Sequence, residues 1–368
     1  MNYYQKELDA IKKSNRFRNR NLYNPLLKDL ASNDYLGLAT NKQTFTKAYN
    51  RVLKERSVSP KASIIVNGYS EIHKKFEKKL CKINGFEDGI VVGSGFLANI
   101  SLIESLARKK DIIFIDEEYH ASGILASKLT QGEVVFFKHN DFKDLEEKIQ
   151  LCEKYNRILI AIEGVYSMGG DIAPKEFYNL SNKYNAILIV DEAHSSGVIG
   201  ENLLGWFDYH NIKPKSNHIK MGTLGKAYGS YGAYILASTE IISFLENRAK
   251  PIIYSTAPSL FDIALGYENF KYILKNKQDI VEKILEYQQI VKDTLGITTK
   301  SMIVPIVIDD NKKVIEIQNK LLESGYVVGA IRQPTVKKAI IRLIIKLDIT
   351  KKDLQRVCSL IKNFSNRS

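Results

Sequence analysis

The 368-residue sequence predicts an α/β fold: a mostly parallel sheet covered by helices, followed by a smaller C-terminal α+β domain. Three observations predict it. From about Gly89, short apolar runs ("GIVVG", "DIIFID", "EVVFF", "ILIAIEG", "AILIVD", "GAYILA") alternate with helical stretches such as "GFLANISLIESLARKK". Runs that are apolar on both faces belong to strands buried between two helical layers, as in parallel sheets. After a helical stretch at about 258–297 the pattern changes to "MIVPIVID", a helix near 311–324, "YVVGAI", "AIIRLIIKL" and a last helix in "TKKDLQRVCSLIKNF". At 44% hydrophobic residues, a chain of this length can bury more than one core.

Taken in order, the first thirty residues read as a helix with Leu8, Ile11 and Asn15 on one face, then a connector. The expected division is an N-terminal helix and connector at 1–45, a large domain at 46–255 and a small domain at 256–368. No apolar run approaches the length of a membrane span, and the N-terminus lacks the apolar segment of a signal peptide. Cys81, Cys152 and Cys358 are scattered without metal-ligand spacing, so neither a metal site nor a disulfide framework is expected, and a reducing cytoplasm is. The formal charge is +13, but the lysines are spread along the chain and often stand beside Glu or Asp. That pattern does not predict a nucleic-acid surface.

The stretch "ILIVDEAHSSGVIG" contains Asp191-Glu192-Ala193-His194, the DEAH letters of helicases. A helicase also needs GxxxxGK followed by Ser or Thr to cradle phosphates, and it must precede those letters. The nearest stretch, "GTLGKA" at 222–227, lacks the spacing and the hydroxyl and comes after them. The motor reading fails.

A second chemistry fits better. In α/β sheets ligands bind at the carboxyl ends of strands, where Asp191 is placed. A carboxylate buried there costs free energy unless it meets a cation or strong donor. Thirty-five residues on, Lys226 lies in a glycine-rich segment among small residues, a setting for a Schiff-base nucleophile. A buried Asp for a pyridinium nitrogen and a lysine for an imine are what pyridoxal 5'-phosphate requires. The turn "GSGF" at 93–96, between a strand and a helix, offers backbone N–H groups for the phosphate.

The motifs "SNDYLGLA" (32–39), "GSGFLANI" (93–100), "DEEYHAS" (116–122), "EGVYSMGGDIAP" (163–174), "DEAHSSG" (191–197), "GTLGKAYG" (222–229) and "YSTAP" (254–258) together resemble the α-oxoamine synthase family. They occur in the family's order and cover nearly the whole chain. The resemblance implies a fold-type-I pyridoxal-phosphate transferase that joins an amino acid to an acyl thioester with loss of carbon dioxide. The segment "AIRQPTV" (330–336) is similar to that of members condensing L-alanine with a pimeloyl thioester on the way to biotin. Another member's reaction, such as that of a glycine C-acetyltransferase, is the alternative.

By resemblance, Lys226 carries the cofactor and serves as base, Asp191 pairs with the pyridine nitrogen, and His194 donates to the phenolic oxygen. His120 stacks on the ring, Ser167 contacts the cofactor, Thr223 bonds the phosphate, and Gly95 and Phe96 present amides to it. Ser255 and Thr256 resemble a segment reaching the phosphate from a neighbouring subunit, which implies a homodimer. Asn33 and Arg342 resemble the groups that hold the amino-acid carboxylate, a task suited to a guanidinium's two parallel donors. The family commonly has a second arginine where this chain has Ile344. Thr335 resembles a substrate-contacting threonine, and Arg18 an arginine near the thioester entrance. The loop "SVSPKASIIVNGYSEIH" (57–73) departs from the family's glycine- and serine-rich pattern beside the expected acyl channel. The expected partners are therefore small molecules and a second copy, with an acyl-carrier protein as a further candidate donor; neither a nucleic acid nor a membrane is expected.

Overall fold

A computed structural model describes residues 2–14 and 16–366, so Asn15 lies outside the described residues. The chain forms two compact units. One comprises residues 34–167 and 171–282, the other residues up to 33, 168–170 and 283 onward.

The larger unit is built on a seven-stranded sheet. The first short strand of the chain, β1 (Lys28–Leu30), belongs to the other unit. Those of the large sheet are β2 (Asp88–Val92), β3 (Ile112–Asp116), β4 (Glu133–Phe137), β5 (Ile158–Glu163), β6 (Ile187–Asp191), β7 (His218–Thr223) and β8 (Ala233–Ala237), in the order β2-β8-β7-β6-β5-β3-β4. From β7 to β4 every neighbouring pair is parallel. The nine-residue link from β7 to β8 is too short for a crossover helix, and β8 runs antiparallel to both β7 and β2. The helices Gly95–Leu106 and Thr239–Arg248 cover one face. Their Ala98, Leu102, Leu106, Ile241 and Leu245 form one buried cluster with Ile113, Ile115, Ile189, Ile219 and Ile235 of the sheet. Each such branched side chain contributes about 1.5–3 kcal/mol by leaving water.

Parallel pairing also aligns the carboxyl ends of the central strands. Glu163, last in β5, is in register with Asp191, last in β6, and Asp191 with Met221 near the end of β7. Functional groups from three strands thereby converge on one rim.

The smaller unit has strands β9 (Ile303–Val307), β10 (Tyr326–Ile331) and β11 (Ile340–Ile344), ordered β1-β10-β11-β9. Here β1 pairs parallel with β10, which is why the N-terminal residues belong with the C-terminal ones. Asn311–Glu323 is helical, as the sequence predicts. The division differs from the expected 1–45, 46–255 and 256–368 at both ends. Residues up to 33 join the C-terminal unit, and the boundary falls at 282/283. The helix Leu260–Lys275 stays with the larger unit because it packs on the helices Lys42–Val52 and Glu71–Asn84.

Candidate active site

At the carboxyl rim of the large sheet lies a cavity of about 170 Å³ lined by Gly95, Phe96, Asn99, His120, Glu163, Asp191, Ala193, His194, Met221, Thr223 and Lys226. Seven of the site residues expected from sequence are among them. Each arrives by a different local device. Ser94 caps the helix Gly95–Leu106 by accepting the Leu97 N–H at 3.2 Å. Gly95 and Phe96 line the cavity wall, and the N–H groups of a helix's first turn have no partner within the helix. His120 caps the next helix, Ala121–Ser127, and its Nδ1 lies 2.7 Å from Ser122 Oγ. Thr223 ends β7, where Gly222 packs so closely on Tyr234 that a Cβ would sit 2.3 Å from the ring, and Lys226 comes from the tight link that follows. A larger cavity, about 540 Å³ beside Glu77, Asp88 and Glu246, contains none of these residues.

Asp191 is 4% exposed, and no lysine or arginine pairs with it among the described residues. Its Oδ2 accepts from Asn99 Nδ2 at 2.8 Å and its Oδ1 from the Ala193 N–H at 2.9 Å, which fixes the carboxylate plane. Asn99 is held in turn by the hydroxyl of Tyr119, donating at 2.8 Å. His194 bridges two groups: its Nε2 is 2.6 Å from Lys226 Nζ and its Nδ1 is 2.5 Å from the hydroxyl of Tyr35. His120 titrates below the ordinary histidine range because the cavity walls strip its hydration, an effect that Asp191 opposes and Lys226 reinforces. Glu163 is 2% exposed and titrates well above the ordinary carboxyl range, first through burial and then through the charge of Asp191. Its Oε2 accepts the Ser167 N–H at 3.2 Å, while Oε1 has no protein partner.

The sequence motifs point to no role for Asn99, Glu163, Met221 or Tyr35. Asn99 and Glu163 stand inside motifs read for other residues, and Tyr35 inside "SNDYLG", so proximity was legible there but not function. Thr223 Oγ1 donates to the Gly232 carbonyl at 3.0 Å. Ser167 is buried behind Glu163 rather than on the cavity wall, and Ser255 and Thr256 do not line the cavity of their own chain. In the smaller unit both Nη atoms of Arg342 donate to Asn33 Oδ1 at 3.1 Å, so the two expected carboxylate-binding residues do meet. Thr335 lies in the exposed turn before β11, and Arg18 in an exposed irregular stretch. Glu192, within the DEAH letters, is structural. Its carboxylate is buried, accepts from Ser195 Oγ and the Trp206 N–H at 2.7 Å, and lies 3.6 Å from the equally buried Lys220 Nζ.

These features test the expected cofactor. A buried, rigidly held Asp191 without a cationic partner fits a protonated pyridine nitrogen, and Lys226 fits an imine-forming amine. The amides of Gly95 and Phe96 fit a phosphate, and the orphaned Oε1 of Glu163 fits a polar group of a bound molecule. The residues present accommodate pyridoxal 5'-phosphate.

Residues 27–361 match the family model described as aminotransferase class I and II. The chain belongs to this family. Among curated relatives, it is 45% identical to an 8-amino-7-oxononanoate synthase of Helicobacter pylori, over 98% of this chain and 97% of that one. It is 37% identical to another of that name from Petrotoga mobilis, over 89% and 85%. Of solved structures, an 8-amino-7-oxononanoate synthase from Francisella tularensis aligns with a TM-score of 0.73 at 26% identity, covering 92% of this chain and 98% of that one. A serine palmitoyltransferase from S. paucimobilis, bound to a PLP–myriocin aldimine, aligns with a TM-score of 0.88 at 22% identity over 98% and 96%. At that identity the likeness concerns the fold. No helix among the described residues is long and apolar enough to cross a membrane.

Proposed function

We propose that this chain is a pyridoxal-phosphate-dependent acyltransferase that condenses L-alanine with a pimeloyl thioester, releasing carbon dioxide and the thiol to give 8-amino-7-oxononanoate for biotin synthesis. The observation that carries the reading is the 45% identity to a synthase of that name along nearly the full length of both chains. The cavity supports it, because it brings together a lysine, a buried aspartate and two histidines.

When bound, the cofactor supplies an electron sink that stabilises negative charge at the substrate Cα. Lys226 would hold it covalently and then, as a free amine, take and return the Cα proton. Asp191, kept in place by Asn99 and the Ala193 amide, would keep the ring nitrogen protonated. His194 sits 2.6 Å from Lys226 Nζ and would donate to the phenolic oxygen, with Tyr35 fixing its other nitrogen. His120 would stack on the ring, Thr223 and the amides of Gly95 and Phe96 would take the phosphate, and Ser167 would back the ring edge through Glu163. Arg342 and Asn33 would hold the alanine carboxylate. Thr335 and Arg18 would meet the acyl donor.

A homodimer follows from the same reading. Ser255 and Thr256, outside their own chain's cavity, would serve the partner's phosphate. Phe45, Tyr49 and Leu53, four residues apart on one helix face, are each more than half exposed, an apolar stripe suited to a second copy. The donor would arrive on coenzyme A or an acyl-carrier protein, both anionic partners for a chain of charge +13.

The test is a matrix of free-thiol release: alanine, glycine and serine against pimeloyl, acetyl and succinyl thioesters. Fastest turnover with alanine and the pimeloyl donor is expected. Faster turnover with glycine and acetyl-CoA would overturn the reading in favour of a glycine C-acetyltransferase.

A further inference from the structure

Arg342 meets Asn33 at the end of a turn that is tied down from one side. Asp29 Oδ1 accepts the N–H groups of Ala31 at 2.9 Å and Ser32 at 3.0 Å, and its Oδ2 accepts the Ser32 hydroxyl. The same Oδ2 accepts from Lys346 Nζ at 2.8 Å, and Lys346 also donates to Ser32 Oγ at 3.2 Å. The Lys346 side chain is 4% exposed, and Asp348 lies 3.7 Å from it on the other side. Burial of Asp29 would raise its pKa, but the hydrogen bonds from Lys346 and Ser32 outweigh it and hold the carboxyl at about 2. The Asp29 carboxylate therefore stays ionised at neutral pH.

A buried ammonium loses several kcal/mol of hydration that only a well-made ion pair recovers, and an apolar residue at position 346 would avoid that loss. What the lysine supplies is geometry. It fastens the Asp29–Ser32 turn to the chain just past β11, four residues beyond Arg342. Asn33, next in the turn, then presents Oδ1 to both Nη atoms of the guanidinium.

We propose that Lys346, acting through Asp29 and Ser32, is a positioning residue that sets Asn33 and thereby the Arg342 guanidinium for the carboxylate of the amino-acid substrate. This rests on the reading of Arg342 and Asn33 as the carboxylate site. The role separates from two simpler ones. If Lys346 acted only by its charge, Asp29→Asn would leave that charge opposed by Asp348 alone and tighten binding of a carboxylate. If the pair were only structural, either substitution would lower the melting temperature without changing affinity.

The experiment titrates the holoenzyme with L-alanine and follows the cofactor's visible absorbance, with a melting curve and the KM for the acyl thioester measured alongside. Lys346→Met and Asp29→Asn should each weaken alanine binding by about tenfold, the factor expected for one lost charge-assisted hydrogen bond. The thioester KM should hold, and Lys346→Arg should restore most of the affinity. Unchanged or tighter alanine binding in Asp29→Asn overturns the proposal, and if Lys346→Met fails to fold, that variant alone decides. Arg342→Lys is the control, since it keeps the charge but loses the paired donors. Weaker binding in Arg342→Lys with no change in Asp29→Asn sinks only the positioning role. No change in Arg342→Lys removes the carboxylate site itself, and the proposal with it.

Discussion

Glu163 shows what one buried side chain costs and why a site tolerates it. It stands beside Asp191 in register, with one oxygen unpartnered, and burial and that neighbouring charge push its pKa well above the ordinary value of 4.5. In the unfolded chain the same carboxyl ionises near 4.5. A raised folded pKa means that its contribution to stability is complete below that pH and is lost as the pH rises, because only the unfolded state gains by ionising. Glu163→Gln, neutral in both states, removes this dependence. In the ligand-free protein the variant should be more stable than the parent at pH 8 by on the order of 1 kcal/mol, with the difference closing below about pH 4.5. Melting curves across that range check it; an equal gain at both ends would mean that Glu163 is not the group involved. The same residue marks a limit of sequence reading. The motif containing Glu163 was legible, but its protonation state depends on Asp191, twenty-eight positions away and one strand over.

At the scale of elements, the loop before the helix Glu71–Asn84 is where this chain departs most from the pattern it resembles. It folds into a single wide turn, Ile64–Gly68, closed by the Gly68 N–H donating to the Ser63 carbonyl at 2.9 Å. A Cβ on Gly68 would lie 2.0 Å from the Ala62 carbonyl oxygen, a backbone atom that cannot rotate aside. That oxygen also accepts the Ala257 N–H at 2.9 Å, inside the "YSTAP" segment. Displacing Ala62 should therefore loosen a segment nearly two hundred residues away in sequence. Gly68→Ala is expected to cost about 1–3 kcal/mol and to speed hydrogen exchange at the Ala257 amide, while amides of β5 and β6 keep their protection. If Ala257 exchange is unchanged, the two segments are not mechanically joined. The glycine was visible in the sequence; its contact with Ala62 was not, because Pro60 and Lys61 disguise the turn that creates it.

At the scale of the molecule, the legible features were those with short range in sequence. Alternating buried runs and helices predicted the parallel sheet, and the position of Asp191 at the end of a buried strand predicted a ligand site at the carboxyl rim. The assignment of residues up to 33 to the C-terminal unit was not legible, because it depends on three residues of β1 pairing with β10 almost three hundred positions later. The net charge of +13 is a whole-molecule property of another kind, since no single element explains it. Two accounts of it make different predictions. If the lysines merely reflect composition, charge will not affect how the substrates arrive. If the positive field gathers the acyl donor, whose carrier is anionic, then kcat/KM for the thioester should fall several-fold between low salt and about 0.3 M, as the screening length contracts to a few ångströms. The zwitterionic alanine, carrying no net charge, should keep its dissociation constant over the same range. A thioester kcat/KM that ignores salt would mean that the excess lysine is solvated surface without a part in catalysis. A fall shared equally by alanine would instead assign the effect to amino-acid binding rather than to capture of the acyl donor.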